Sequence, residues 1–188
     1  MRLVAKVAHR SHDPEDPQMS SDSPRPEAQI LVRLQFFPSE RLVASVARLV
    51  ADFCRTALND VETTSRFHLA TYELVENLVK YSSGKSASVE VELEERNEAL
   101  STLTVRARNQ TTPERLKEVR ERLGALQSAE DPVVYYDQLI AESAPRSAGS
   151  GLGLARIRAE GELDLDFAIE GDELTISARA PIARRANL

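Results

Sequence analysis

Cysteine, glycine, tryptophan and long apolar runs are scarce or missing in this chain of 188 residues. Its one cysteine, Cys54, excludes an internal disulfide and a thiolate metal cluster, which favours a reducing compartment. No apolar run approaches the roughly 18 residues that a membrane-spanning helix needs. The first ten residues are too short in their apolar part to form a secretory signal. We therefore expect a cytoplasmic protein without a membrane span.

An excess of positive charge is also missing. The chain carries 24 Lys and Arg against 30 Asp and Glu, a formal net charge of −6. A negative balance gives no electrostatic reason to bind nucleic acid or an anionic membrane, so neither is an expected partner. Hydrophobic residues make up 41% of the chain, enough for the core of one compact domain but hardly for two.

The composition changes near residue 28. Residues 11–27 are rich in Pro, Ser, Asp and Glu, and such a segment buries too little apolar surface to offset the entropy of ordering. We predict a flexible leader over 1–27, one folded domain over 28–182 and a short tail over 183–188.

Three stretches of the domain have strand patterns. The run QILVRLQFF, beginning at Gln29, has the β-branched and aromatic content of a strand. SASVEVELEE and LSTLTVRARN alternate apolar and polar residues around Arg96-Asn97-Glu98, which predicts an antiparallel hairpin. LDLDFAIE and ELTISARA, joined through Gly171-Asp172, predict a second hairpin.

Helical patterns separate these strands. Pro38-Ser39-Glu40 opens one helix, and a second is expected from about Thr64 to Ser82. Helices are also predicted after Pro113, over PVVYYDQLIAES and over the short GLARIRAE. The resulting element order favours an α+β fold: a two-layer sandwich of a mainly antiparallel mixed sheet with helices on one face.

The second helix carries a polar stripe. With Glu73 at zero and about 100° per residue, Asn77 falls at about 40°, Lys80 at about 340° and Glu76 at about 300°. One interpretation is a solvated face with a Glu76–Lys80 pair. Apolar residues border the stripe, however, which indicates that part of it covers a cavity. His68, at about 220°, lies on the apolar side, and we expect it to pack in the core.

The stripe also has a chemical use. A carboxylate and a carboxamide one helical turn apart present hard oxygen ligands, which hydrated Mg²⁺ prefers. Glu73 and Asn77 have this spacing.

The stretch GSGLGL, Gly149 to Leu154, holds three of the seven glycines at alternating positions. Glycines allow close backbone approach, so successive N–H groups can point at one anion near the start of a helix. A phosphate-binding loop is one interpretation, and a flexible hinge is the alternative.

Together, YELVENLVKYS (Tyr72–Ser82) and GSGLGLARI (Gly149–Ile157) resemble the N-box and the glycine-rich box of the GHKL, or Bergerat-fold, superfamily of ATP-binding domains. The small size and the Glu four residues before the Asn resemble bacterial anti-sigma-factor serine kinases of partner-switching systems and the SiaB-type protein kinases. The resemblance covers most of residues 29–181 and implies ATP and Mg²⁺ as cofactors.

The resemblance also implies roles for single residues. Asn77 would be the Mg²⁺ ligand, and Glu73 would be the base for the acceptor hydroxyl. Lys80 matches a basic position that contacts a phosphate. The triphosphate would lie on the loop formed by Gly149, Ser150, Gly151, Leu152 and Gly153.

One motif departs from the family pattern. Most of the superfamily carries an Asp-x-Gly motif after the strand that follows the N-box, where the Asp binds the adenine amino group. The corresponding stretch here is TVRARNQTTPERL, so Asn109 would supply a neutral carbonyl acceptor at this point. A serine/threonine protein kinase, an ATPase, a weak nucleotide binder and a degenerate, non-catalytic interaction module all remain open.

The resemblance further implies partners. A kinase of this type phosphorylates a Ser or Thr of a small regulatory protein, like an anti-sigma-factor antagonist. It also sequesters a second protein and often forms a homodimer. We therefore expect a role in bacterial signal transduction that depends on contacts with other proteins.

Overall fold

The computed structural model describes residues 2–7, 29–95, 100–143 and 152–183. The strands in these ranges are β1 (Arg2–Val7), β2 (Gln29–Phe36), β3 (Ala87–Glu95), β4 (Leu100–Gln110), β5 (Asp164–Glu170) and β6 (Glu173–Ala183). The helices are α1 (Glu40–Leu58), α2 (Val61–Tyr81), α3 (Pro113–Ser128), α4 (Pro132–Ser143) and α5 (Leu152–Ala159). No helix within the same ranges is both long and apolar enough to cross a lipid bilayer.

The described strands form one sheet in the order β1-β2-β3-β4-β6-β5, and each neighbouring pair is antiparallel. Both predicted hairpins are present. The turn between β5 and β6 uses Gly171 at a φ of 64°, a left-handed conformation that glycine adopts without strain. Residues 96–99, the predicted turn of the other hairpin, lie outside the described residues. Because no parallel pair occurs among these strands, the sheet is antiparallel rather than mixed.

The sheet has one apolar face, which the helices cover. Along β4 the odd-numbered positions from Ser101 to Asn109 are buried, as the two-residue period of a strand requires. The α+β two-layer sandwich is therefore confirmed. Its largest fully buried side chains come from both layers: Leu34, Phe67, Leu74, Val75, Val89, Val91, Leu103, Val105, Leu123 and Ile157.

The opposite face of the sheet is polar. Arg106 forms ion pairs with Glu90, at 3.3 Å, and with Glu92, and Arg33 pairs with Glu90 from the neighbouring strand. Opposite charges across adjacent strands stabilise the pairing modestly. Because these charged side chains are paired with one another, this face of the sheet can be in contact with solvent and needs no covering layer of apolar residues.

The buried side of helix α2 includes Glu73 and is wider than the apolar side predicted from the sequence. With Glu73 at zero, the buried positions run from Glu73 itself to Val75 at about 200°, because α1, α5 and the sheet all pack on this helix. His68, at about 220°, lies just beyond the arc and is exposed. The expectation that His68 packs in the core was therefore wrong.

Two element boundaries also differ from the sequence predictions. Residues 2–7 pair with β2 as an edge strand, although 1–27 was expected to be a flexible leader; residues 8–28 lie outside the described residues. Helix α2 begins at Val61, three residues earlier than predicted, because the Asp60 side chain caps it by accepting a hydrogen bond from the Thr63 amide. The tail beyond Ala183 is likewise outside the described ranges.

A single arginine ties α2 to the turn that follows α5. Arg66 donates from Nε to the carbonyl of Gly161 and from Nη2 to the carbonyl of Glu162, both at 2.6 Å. Gly161 is buried and Glu162 has a left-handed φ of 49°, so this turn needs external partners for its carbonyl groups. Arg66 therefore fixes α5 against α2.

We expect Arg66→Ala to lower the free energy of unfolding by about 1–3 kcal/mol, because it leaves the buried Gly161 carbonyl without its donor. Chemical denaturation followed by circular dichroism measures the change. Arg48→Ala, which removes an exposed arginine from α1, is the matched control and should change stability by less than about 0.5 kcal/mol. Equal losses in the two variants would contradict a specific role for Arg66.

Candidate functional site

The first turn of α5 packs against the polar stripe of α2. A Cβ placed on Gly153 would overlap Oε2 of Glu73 and would lie 3.3 Å from its Cδ and 3.6 Å from Nδ2 of Asn77. The two segments are 80 residues apart in the sequence, so only the fold brings them together. A glycine is required here because any larger residue would displace the Glu73 carboxylate.

Glu73 is buried, with 8% of its surface exposed, and the buried carboxylate has a cationic partner. Arg156 on α5 donates from Nη1 to Oε1 of Glu73 at 3.2 Å and from Nε to Oε2 of Glu160 at 2.8 Å. Burial raises the pKa of Glu73 above its ordinary value of 4.5, and the hydrogen bond from Arg156 opposes this rise. The site therefore holds a carboxylate whose basicity is increased by its surroundings.

Helix α4 joins the same network through Tyr136. Burial, followed by the negative charge of Glu160, raises the pKa of Tyr136. The polar contacts thus run from Glu73 through Arg156 to Glu160, which lies near Tyr136 of α4.

A cavity of about 340 Å³ opens beside these residues. Its walls come from α2, α3, α4, α5 and the inner face of β4 and β6, and apolar side chains such as Leu78 and Ile176 form much of them. Asn77, half-buried, contributes a carboxamide to the lining. A mainly apolar cavity with a few polar groups is typical of sites for small organic ligands.

Asn109 also lines this cavity, from the end of β4. It is 6% exposed, and its Nδ2 donates to the Gln110 carbonyl at 3.2 Å. With the amide nitrogen used in this way, Oδ1 is the atom that can accept a hydrogen bond from a ligand. Asn77 on α2 and Asn109 on β4 therefore line the same cavity.

The other residues predicted for the site are Lys80, Leu152 and the residues before Leu152 in the glycine-rich stretch. Lys80 is exposed, does not line the cavity, and has its Nζ 5.4 Å from the centroid of the Tyr81 ring. Leu152 begins α5, one residue before Gly153. Gly149, Ser150 and Gly151 are outside the described residues.

The charged residues that flank the site were not predicted from the sequence. Arg156 follows Gly153 by three residues and so shares its helix face, a spacing that could have indicated it. Arg115, Glu118 and Arg122 on α3 also line the cavity. Their i, i+3 and i+4 spacing is that of an ordinary solvated ion-pair cluster, so the sequence carried no signal for them.

The oxygen ligands at this site suit a cation held mainly by water and phosphates better than one enclosed by protein side chains. No group of three or more His, Cys, Asp or Glu side chains in the described ranges is positioned to bind a metal. Mg²⁺ usually takes only one or two protein oxygens, with water and substrate phosphates as its other ligands. Asn77 at the cavity wall, next to Glu73, fits that smaller requirement.

Comparison with known proteins identifies the fold. No family model and no curated protein sequence matches this chain. Among solved structures, a chain from the crystal structure of the SiaB-SiaC complex from Pseudomonas aeruginosa is similar, with a TM-score of 0.52 and 19% sequence identity. The match covers 80% of this chain and 89% of that chain. At this identity the likeness establishes a shared architecture.

We expect Gly153→Ala to destabilise the protein by about 1–3 kcal/mol, because the added methyl group must displace the buried Glu73 carboxylate. Gly124→Ala is the matched control: Gly124 lies in α3, and a Cβ there meets nothing within 4 Å. That variant should gain up to about 1 kcal/mol from helix propensity. Thermal and urea denaturation measure both, and a gain for Gly153→Ala would refute the close packing of α5 on α2.

The raised pKa of Glu73 predicts a pH-dependent effect of Glu73→Gln. A carboxyl group with a raised pKa in the folded state binds more protons folded than unfolded, so its contribution to stability falls as pH rises from 4.5 through the folded-state pKa. The stability of Glu73→Gln relative to wild type should therefore increase with pH across that window and then level off. Urea denaturation at a series of pH values measures it; a constant difference would contradict the shift.

Proposed function

We propose that this chain binds ATP with Mg²⁺ in the cavity and acts in bacterial partner switching by phosphorylating a Ser or Thr of a small partner protein. One observation carries the proposal. Gly153 on α5 packs against Glu73 and lies next to Asn77, which lines the cavity. Two motifs that the resemblance assigns to phosphate and Mg²⁺ are thereby neighbours in space.

The cavity supports a nucleotide as the ligand. Its volume of about 340 Å³ lies in the range of sites for small organic molecules. Its apolar walls suit a purine ring, and the Oδ1 atom of Asn109 can accept a hydrogen bond from an amino group. A neutral acceptor in place of a carboxylate would lower affinity by about 1 kcal/mol, several-fold in binding but not its loss.

The side chains around the cavity suit phosphoryl transfer. Mg²⁺, when bound with ATP, would neutralise charge on the phosphates, and Asn77 would be its protein ligand. Glu73, buried and of raised pKa, would accept the proton of the acceptor hydroxyl. The Gly153 backbone at the start of α5 would lie along the phosphates, where helix amides favour negative charge. Such catalysis depends mainly on positioning, which a rigid contact between α2 and α5 provides.

The solved neighbour supports a role with a partner protein. That chain comes from a complex of two proteins, SiaB and SiaC, and it shares the architecture described above. Because one fold can serve unrelated functions, the partner role rests on this analogy together with the site. The proposal includes an acceptor protein, a second partner that the chain sequesters, and a homodimer of the chain itself.

A non-catalytic nucleotide-dependent binding module is the second candidate. The ion pair between Glu73 and Arg156 favours it, because a guanidinium bound to the carboxylate competes with an acceptor hydroxyl for it. In this case the chain would bind ATP but would not transfer phosphate, and the bound nucleotide would control partner contact only.

Calorimetric titration with ATP, with and without Mg²⁺, tests the proposal. We expect Mg²⁺-dependent binding that Asn77→Ala weakens at least about tenfold, because the variant removes the only carboxamide ligand of the stripe. Glu76→Ala is the matched control, since Glu76 is exposed on the same helix and does not line the cavity. It should bind ATP like the wild type.

Equal losses of ATP affinity in Glu76→Ala and Asn77→Ala would contradict a specific site on α2. An absence of binding at millimolar ATP would overturn the nucleotide function altogether. Glu73→Gln separates the two candidates: it should retain ATP binding in both, but it abolishes phosphate transfer to a partner only if the chain is a kinase.

A further inference from the structure

Arg115 lies against the ring of Tyr81 at one end of the cavity. Its guanidinium carbon is 5.1 Å from the ring centroid, a typical distance for a cation stacked on an aromatic face. Both side chains line the cavity, whereas Lys80, the other cation near this ring, does not. The cavity wall at this point therefore combines an aromatic ring with a planar cation.

This end of the cavity is the one that holds Asn109. The Thr111 hydroxyl donates to the Tyr81 carbonyl at 2.8 Å and so ties the end of α2 to the end of β4, two residues beyond Asn109. Glu73 precedes Tyr81 by eight residues, which is about 12 Å along the helix axis, with Asn77 about halfway. The polar groups are thus spread along α2, with Glu73 far from the Tyr81 end.

Arg115 shares one carboxylate with Arg122. Its Nη1 donates to Oε2 of Glu118 at 2.9 Å, and Oε1 of the same carboxylate pairs with Nη2 of Arg122 at 2.7 Å. The ion pair holds the guanidinium at its edge, and its flat faces remain suited to stacking. Its position at the Tyr81 end of the cavity, away from Gly153, favours contact with a ring rather than with the phosphates.

We propose that Arg115 is a base-binding residue: its guanidinium, backed by the Tyr81 ring, stacks on the purine of the nucleotide. This inference rests on the proposed function, since it concerns the same cavity. It adds a contact that involves no hydrogen bond, at the end of the cavity where Asn109 provides a neutral acceptor. Stacking between a guanidinium and a purine contributes to affinity independently of the phosphates.

The test compares Arg115→Ala and Arg115→Lys with wild type by calorimetric titration of ATP and ADP, each with Mg²⁺, at low and high salt. Arg120→Ala is the control, because Arg120 is an exposed arginine of the same helix that does not line the cavity. Arg115 is itself about half exposed, and thermal denaturation verifies that each variant folds.

We expect Arg115→Ala to weaken ATP and ADP by the same factor, about fivefold to thirtyfold, with little dependence on salt. Arg115→Lys should bind both nucleotides nearly as weakly as Arg115→Ala, since lysine retains the charge but not the planar group. Arg120→Ala should bind both nucleotides like the wild type.

Other outcomes overturn the inference in distinguishable ways. A loss that is larger for ATP than for ADP, shrinks at high salt and is rescued by Arg115→Lys would show that Arg115 binds phosphate instead. Unchanged affinity in Arg115→Ala, with normal binding by wild type, would refute the inference and leave the proposed function intact. An absence of ATP binding by the wild type would overturn both.

Discussion

The contact between Gly153 and Glu73 is the constraint on which the rest of the site depends. Glycine lets α5 approach α2 closely enough for Arg156, one turn further on, to reach the Glu73 carboxylate. Arg66 holds the other end of α5 through the turn carbonyls. These two attachments, together with the buried Ala155 and Ile157, hold α5 in place as one wall of the cavity.

A buried carboxylate is costly, and this fold keeps one beside a single cation. Burial of Glu73 disfavours its charged form, and the ion pair with Arg156 offsets only part of that effect, as the raised pKa indicates. Apolar packing at this position would cost less, so the ion pair is poorly explained by stability alone. Under the proposed function, Glu73 would be a base held in one orientation beside a ligand site, which is a sufficient reason for the pair.

The cavity is asymmetric in a way that suits a nucleotide. One end combines Asn109 with the stacked pair of Tyr81 and Arg115, which is chemistry for a flat heterocycle. Near the other end, the Glu73 carboxylate and the first turn of α5 lie next to Asn77, and the proposed phosphate and proton transfer would take place there. Helix α2 connects the two ends, and Arg66 on α2 and Arg156 on α5 join these two helices.

The sequence by itself determined the secondary structure and the class of the fold. Period-two and helical patterns report which face of each element is apolar, and the two hairpins, α1, α3 and the layered α+β arrangement follow from them. The motifs around Glu73, Asn77 and the glycines were likewise visible, because each is local. Only the tertiary structure decided that β1 extends the sheet, that His68 is exposed and that Glu73 is buried. It also selected Arg156 and Arg115 from the many arginines of the chain. These outcomes depend on contacts between residues distant in the sequence, and a local pattern does not encode which of several polar faces the fold will cover.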